Sequence, residues 1–249
     1  MRTHYSLLTL LSLLTVLLSS SVSANSPDKQ NSSGKVTYKQ VTNMHTLLGP
    51  SQQAMKALIP KEKNSLIELT FAADNYLLSS QPLDKGKIIT VGLDQESSTI
   101  VNTDLSILTR FGEMAGFPYQ VKQPIAKLND IQLHPETKTI EQFEAKRLTG
   151  TANINNKQQN VEIWYSPEFS TYFSPYPLAG LPGAVLSMTV GTDYLKYEIS
   201  SISFETPTDS EFVVPAKHQE ITNEQLEDLR EEAIDALRRS GANVMSNKR

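Results

Sequence analysis

The 249-residue chain carries 23 Lys and Arg against 27 Asp and Glu, a formal net charge of −4, and it has no cysteine. With no block of five like charges, it lacks the basic stripe with which nucleic-acid binders meet phosphate. The lack of Cys excludes disulfide staples, thiolate metal sites and a lipidated N-terminal Cys.

Residues 1–24, MRTHYSLLTLLSLLTVLLSSSVSA, place Arg2 and His4 ahead of a Leu-rich run from Leu7 to Leu18, with Val22 and Ala24 at the two cleavage-recognition positions. This is the pattern of a secretory signal peptide. The apolar run is broken by Thr and Ser and is shorter than the roughly 20 residues that a membrane span needs. Cleavage after Ala24 leaves 225 residues and, because Arg2 is the only charge removed, a formal net charge of −5. The mature chain is therefore expected to be exported, periplasmic and without a membrane span. It is long enough to bury one core without metal or staples. The next residues, NSPDKQNSSG (25–34), have almost nothing apolar to bury and predict a disordered leader.

A single domain is expected over 35–243, with a flexible tail at 244–249. KVTYKQVT (35–42) alternates loosely as a half-buried strand does. In GPSQQAMKALIP (49–60), Pro50 suits a first helical turn, Ala54, Met55 and Leu58 have helical spacing, and Pro60 is a stop, so a short helix is expected. SLIELTFA, NYLLSSQ, GKIITVGL (86–93) and STIVNT then read as strands separated by turn-forming residues. The segment DLSILTRFGEMAGFPYQVKQP (104–124) admits a helix on the spacing of Leu105, Leu108, Phe111 and Met114, although Gly112, Gly116 and Pro118 would interrupt it. Further strands are EQFEAKRLTGTA, QNVEIWYS, AVLSMTVG and LKYEISSISFE. In ITNEQLEDLREEAIDALRRSG (221–241), Thr222 and Gln225 form a capping-box pattern, and Leu226, Leu229, Ala233 and Leu237 line one helical face.

Strands this close together pair antiparallel, since parallel pairs need crossovers of a dozen or more residues. The fold class is thus mainly β (α+β): a curved antiparallel sheet with a short N-terminal helix and a C-terminal amphipathic helix across its open apolar side.

The most unusual stretch is WYSPEFSTYFSPYPLAGLPGAV (164–185), which packs six aromatics, four prolines and two glycines between two strands. Leu181-Pro182-Gly183-Ala184 has Pro and Gly where a type II turn places them, and Gly180 permits a second unusual backbone angle. Trp164, Tyr165, Phe169, Tyr172, Phe173 and Tyr176 give the loop far more apolar area than solvent loops carry. Two readings follow: a packed loop that seals one end of the sheet, or an aromatic lip that contacts a hydrophobic ligand or a partner surface.

Trp164 to Glu168, Pro175-Tyr176 and Gly180 to Val185 resemble the GLPGLI family of exported bacterial proteins. ETKTIEQFEAKRLTGT (136–151) and FVVPAKHQEIT (212–222) extend the resemblance on either side. Ala184-Val185 replaces the family's Leu-Ile, and Ala145 stands where many relatives carry Cys, so a thiol-based role does not apply. The resemblance implies an exported protein with no assigned reaction. It also implies an architecture similar to the half-barrels of bacterial lipoprotein carriers, with helices over the open side of the sheet.

Chemistry-bearing patterns are few. His4, His45, His134 and His218 are scattered without metal-ligand spacing, and His134 in LHPET reads as a loop residue. No nucleophile elbow, phosphate loop or dinucleotide fingerprint occurs, so neither metal nor cofactor is expected. Glu162 and Glu168 flank the aromatic loop, but Glu162 alternates with Val161 and Ile163 as an outward strand residue does. The sequence thus favours a non-catalytic carrier or binding module for a lipid-like ligand. The alternative is an envelope protein that docks on a partner through the loop at 165–180.

The leader peptide is directly testable. Expressed in a bacterial host, the chain should reach the periplasm with Asn25 as its first residue, as read by intact mass. A full-length mass, or retention in the membrane fraction, would overturn the cleavage expectation.

Overall fold

The computed structural model describes residues 32–83, 97–154, 157–169 and 171–239. The expected signal peptide, most of the leader, the strand at 86–93 and the tail lie outside the described residues. Ser33 and Gly34, expected in the leader, belong to the first strand.

The chain is mainly β. Among the described residues its strands are β1 (Ser33–Asn43), β2 (Glu62–Ala72), β3 (Asn75–Pro82), β4 (Ser98–Asn102), β5 (Ile107–Met114), β6 (Phe117–Pro124), β7 (Ala126–Ile140), β8 (Phe143–Ile154), β9 (Lys157–Ser166), β10 (Leu178–Ala179), β11 (Ala184–Val190), β12 (Leu195–Ser203) and β13 (Gln219–Glu220). An α-helix, α1 (Asn223–Arg239), follows. These strands join one sheet in the order β10-β7-β8-β9-β11-β12-β1-β2-β3-β4-β5-β6-β13. The long strands pair antiparallel, while the two-residue edge strands β10 and β13 pair parallel, on β7 and β6.

The order imposes a curvature. β6 and β7 stand near opposite ends of the sheet, ten strand positions apart, which in a flat sheet is roughly 48 Å at about 4.8 Å per strand. Yet β6 ends at Pro124 and β7 begins at Ala126, a reach of about 7 Å. The sheet must therefore curl until these two corners meet. The linking residue, Ile125, is buried, and its N–H donates to the Ser106 carbonyl at 3.0 Å.

The concave face holds the core. Val36 and Tyr38 from β1, Ile67, Leu69 and Phe71 from β2, Leu148 and Ile154 from β8, Ile163 and Tyr165 from β9, and Met188 and Val190 from β11 point inward at the two-residue period of a strand. Leu108 of β5 and Leu128 of β7 belong to the same cluster, so the core is continuous across the closing corner. The Tyr38 hydroxyl spans this interior and donates to the Val185 carbonyl at 2.5 Å. Burial first, then the neighbouring Tyr76, pushes its phenol well above the usual range, so it remains a neutral donor.

Several expectations are corrected. Residues 107–124 form the β5–β6 hairpin and not a helix. Ala115 and Gly116 both have positive φ, 50° and 85°, the signature of a two-residue type I′ connection. Leu105 is exposed, and Phe111 packs edge-on against His218 with ring centroids 5.5 Å apart. The short helix expected near Pro50 is a 3-10 segment, Pro50–Ala57, whose Leu58 side stays in solvent. His134 lies within β7 and not in a loop, with Nε2 2.8 Å from Thr149 Oγ1 on β8.

The C-terminal helix starts as its sequence requires: Gln225 N–H donates to Thr222 Oγ1 at 3.2 Å, and Thr222 N–H to Gln225 Oε1 at 2.9 Å. Its position differs from expectation, because it covers the β5–β6 hairpin and not the main concave face. There Leu226 closes a small separate core with Met114, Tyr119 and Val121. No helix among the described residues is long and apolar enough to cross a membrane.

Because Leu226 is the helix's main anchor in that satellite core, Leu226→Ala should cost about 2–5 kcal/mol. Chemical denaturation followed by circular dichroism should show it, and amide exchange should accelerate in α1 before it does in β1 or β9. A uniform loss of protection would contradict the separation of the two cores.

Candidate functional site

The loop between β9 and β11 runs from Pro167 to Gly183. It leaves β9, crosses the concave face and reaches the free edge of β7, where Leu178 and Ala179 pair with Ala126 and Lys127. Phe169 and Phe173 point into the core and are 2% and 0% exposed. Phe169 stands between Phe143 of β8, at 4.8 Å between centroids, and Phe71 of β2, at 6.3 Å. Phe173 lies 4.5 Å from Phe71. β8 and β2 are five strand positions apart, so the loop's two phenyl rings fill the space that the curl encloses at this end. Phe204, just beyond β12, adds a fifth ring at 6.1 Å from Phe169.

Backbone and hydroxyl contacts hold the plug in place. Val185 N–H donates to the Phe173 carbonyl at 2.9 Å, and Thr171 Oγ1 donates to the Ser32 carbonyl at 3.1 Å. Ser166 and Ser174, both buried, accept from the backbone N–H two residues on, those of Glu168 and Tyr176. These are turn-stabilising hydroxyls, so their polarity is satisfied within the loop.

The six aromatics singled out by the sequence therefore separate. Tyr165, Phe169 and Phe173 are core residues, and Tyr176 is half-buried against the same core. Tyr172 is 50% exposed. Trp164 lies on the opposite, convex face of the sheet, half-buried, with Lys138 Nζ 4.1 Å above its ring.

The turn motif works differently from its expected type II geometry. Gly180, not Gly183, has the positive φ, at 90°. Gly183 is required for space: a Cβ there would press on the Ser166 carbonyl and come within 2.9 Å of the Tyr165 ring. Leu181 packs against the core, and Pro182 stiffens the return to β11.

Around Trp164 the convex face carries a charged network that sequence reasoning did not assemble. Arg147 donates from Nη2 and Nε to Glu162 Oε2, at 2.9 and 3.2 Å, and from Nη1 to Glu136 Oε1 at 3.2 Å. Trp164 Nε1 donates to Glu162 Oε1 at 3.2 Å. The Arg147 hydrogen bond is the main influence that holds the Glu162 carboxyl below its ordinary value. Glu168 is turned elsewhere, accepting from Glu144 N–H at 3.0 Å.

Two shallow depressions lie beside α1. One is lined by Lys122 and residues 220–225, and the other by Phe117, Ile221, Gln225, Asp228, Leu229 and Glu232. Among the described residues no group of three His, Cys, Asp or Glu is arranged to hold a metal ion.

No protein-family model and no curated protein matches the chain. Solved structures do share its fold. A structure of PNGF-II in space group C2 superposes with a TM-score of 0.53 at 14% identity, over 81% of this chain and 33% of that one. A second PNGF-II structure, in space group P21, gives 0.51 at 13% identity, over 82% and 34%. The chain thus spans about a third of the length of PNGF-II, and the likeness is one of fold.

Glu162→Gln should lower stability at neutral pH by removing the charge that Arg147 holds. Since the folded carboxyl titrates below its ordinary value of 4.5, the wild-type advantage is present above that value and lost as pH falls through the lowered one. Urea midpoints of the two proteins should differ at pH 7 and converge below about pH 4. A gap that persists in acid would mean that Glu162 acts by shape and not by charge.

Proposed function

We propose that this chain is an exported, periplasmic protein of the GLPGLI type, a non-catalytic module that docks on another protein of the cell envelope through the outer side of its aromatic loop. The signal-peptide pattern and the residues at 164–168 and 180–185 support the compartment and the family. The curled sheet supports comparison with lipoprotein-carrier half-barrels, although α1 covers a hairpin here and not the concave face.

The observation that carries the reading is the burial of Phe169 and Phe173. A carrier must keep its interior free for an acyl chain. Here, in the described residues, a ligand entering at this end would first have to expel two phenyl groups, each making aromatic contacts with its neighbours. Expelling them exposes apolar area at about 25 cal/mol per Å², which the ligand would have to restore. Tyr172, by contrast, is presented outward from a loop anchored on both sides. A rigid aromatic with a polar tip is the kind of group that anchors interfaces at low entropic cost.

Native mass spectrometry of the mature protein from a bacterial periplasm should show the polypeptide mass alone. A photo-crosslinking residue at Tyr172 should join an envelope protein in the native organism, whereas one at exposed Lys39 on the convex face should not, and Tyr172→Ser should abolish the association. A stoichiometric lipid-like adduct, lost when Phe169 and Phe173 are replaced by Ser in a folded protein, would return the carrier reading. Equal crosslinking from Tyr172 and Lys39 would sink the docking reading.

A further inference from the structure

The seam between α1 and the β5–β6 hairpin is unfinished as a packing surface. The helix's apolar stripe consists of Leu226, Leu229, Ala233 and Ile234, of which Leu226 and Ala233 are buried while Leu229 and Ile234 are only partly covered. Leu229, with half-buried Phe117 from the start of β6 and Ile221 from the approach to the helix, forms the floor of a groove. Gln225, Asp228 and Glu232 form its wall.

That wall carries an unusual charge arrangement. Glu224, Asp228 and Glu232 are each four residues apart and exposed, so they stack along one flank of the helix. Like charges at this spacing repel by a few tenths of a kcal/mol per pair. Asp228 and Glu232 have no ion-pair partner among the described residues. Arg230 faces Glu227 at 3.8 Å, and Lys122 is engaged by Glu220 at 2.7 Å. The free protein thus holds both an open apolar slot and uncompensated repulsion beside it. A single kind of occupant relieves both: an apolar side chain seated on Phe117, Ile221 and Leu229, with cationic side chains next to it. An anionic membrane surface or a nucleic acid would add to the repulsion.

We propose that the groove between α1 and β6 docks a cationic amphipathic segment of a partner polypeptide. Apolar residues of that segment enter the slot, and Lys or Arg residues meet Asp228 and Glu232, a helix-in-groove or extended mode with charge setting orientation. This surface is separate from the Tyr172 loop and stands or falls independently of it.

The test uses the full mature chain and a synthetic amphipathic peptide of about 14 residues built from Leu and Lys, with a Leu and Glu counterpart. The Leu/Lys peptide should shift the amide resonances of Phe117, Ile221 and Leu229 before those of the sheet. Its affinity should fall about tenfold between about 0.05 and 0.5 M salt. The double substitution Asp228→Asn and Glu232→Gln, both on exposed positions, should weaken binding about tenfold at low salt with helix content unchanged. The proposal is overturned if the Leu/Glu peptide binds equally, if the double variant binds as well as wild type, or if the shifts spread over the sheet. It is overturned equally if sedimentation shows that the groove is closed by a second copy of this chain.

Discussion

Everything in this fold depends on one short covalent step, from Pro124 through Ile125 to Ala126, that ties together strands at opposite ends of the sheet. Hydrogen bonding alone would permit a broad twisted sheet with two distant edges. The step forbids it, so the sheet must bend far more than strand twist alone requires. Bending creates an inside, and the inside decides which residues each strand commits to the core.

An inside this wide has to be filled. Main-chain pairing brings Phe71 and Phe143 to the same end of the curl but leaves a gap between them. The loop after β9 supplies Phe169 and Phe173 to close it. The loop's composition looks excessive for a surface connection, and the gap explains it, because the segment is a piece of core delivered from outside the ladder. Its prolines prevent the segment from extending either strand, and Gly183 lets the backbone return tightly past Ser166 and Tyr165.

Much of this was legible in the amino-acid sequence where burial is one-sided. β9 and β12 alternate because one face meets the core and the other meets water. β7 was not legible. Lying at the edge with two register shifts and Pro135, it buries only Leu128 fully, so it has no alternation to read. The β5–β6 hairpin misled for a different reason: Leu105, Leu108, Phe111 and Met114 are spaced like a helix stripe, yet only Leu108 and Met114 turn inward. The positive φ of Ala115, which closes the hairpin, is a weak signal because the residue there is not glycine. At the aromatic loop, composition identified the residues, but only the curl of the sheet determines which of them face inward. The capping box of α1 was readable because its partners are three residues apart.

The pairing of β1 with β12 bears on how the chain acquires its structure. Lys35 lies opposite Ser203, and Val41 opposite Lys196, so the centre of the sheet is a seam between the two ends of the domain. β1 to β6 can zip sequentially as neighbours, but the second edge of β1 stays open until nearly all later strands have been made available. Contacts of such long sequence separation form slowly. A polypeptide threaded through a translocation channel from its N-terminus would therefore be held open by its own topology, and would complete its fold only once β12 had emerged on the far side.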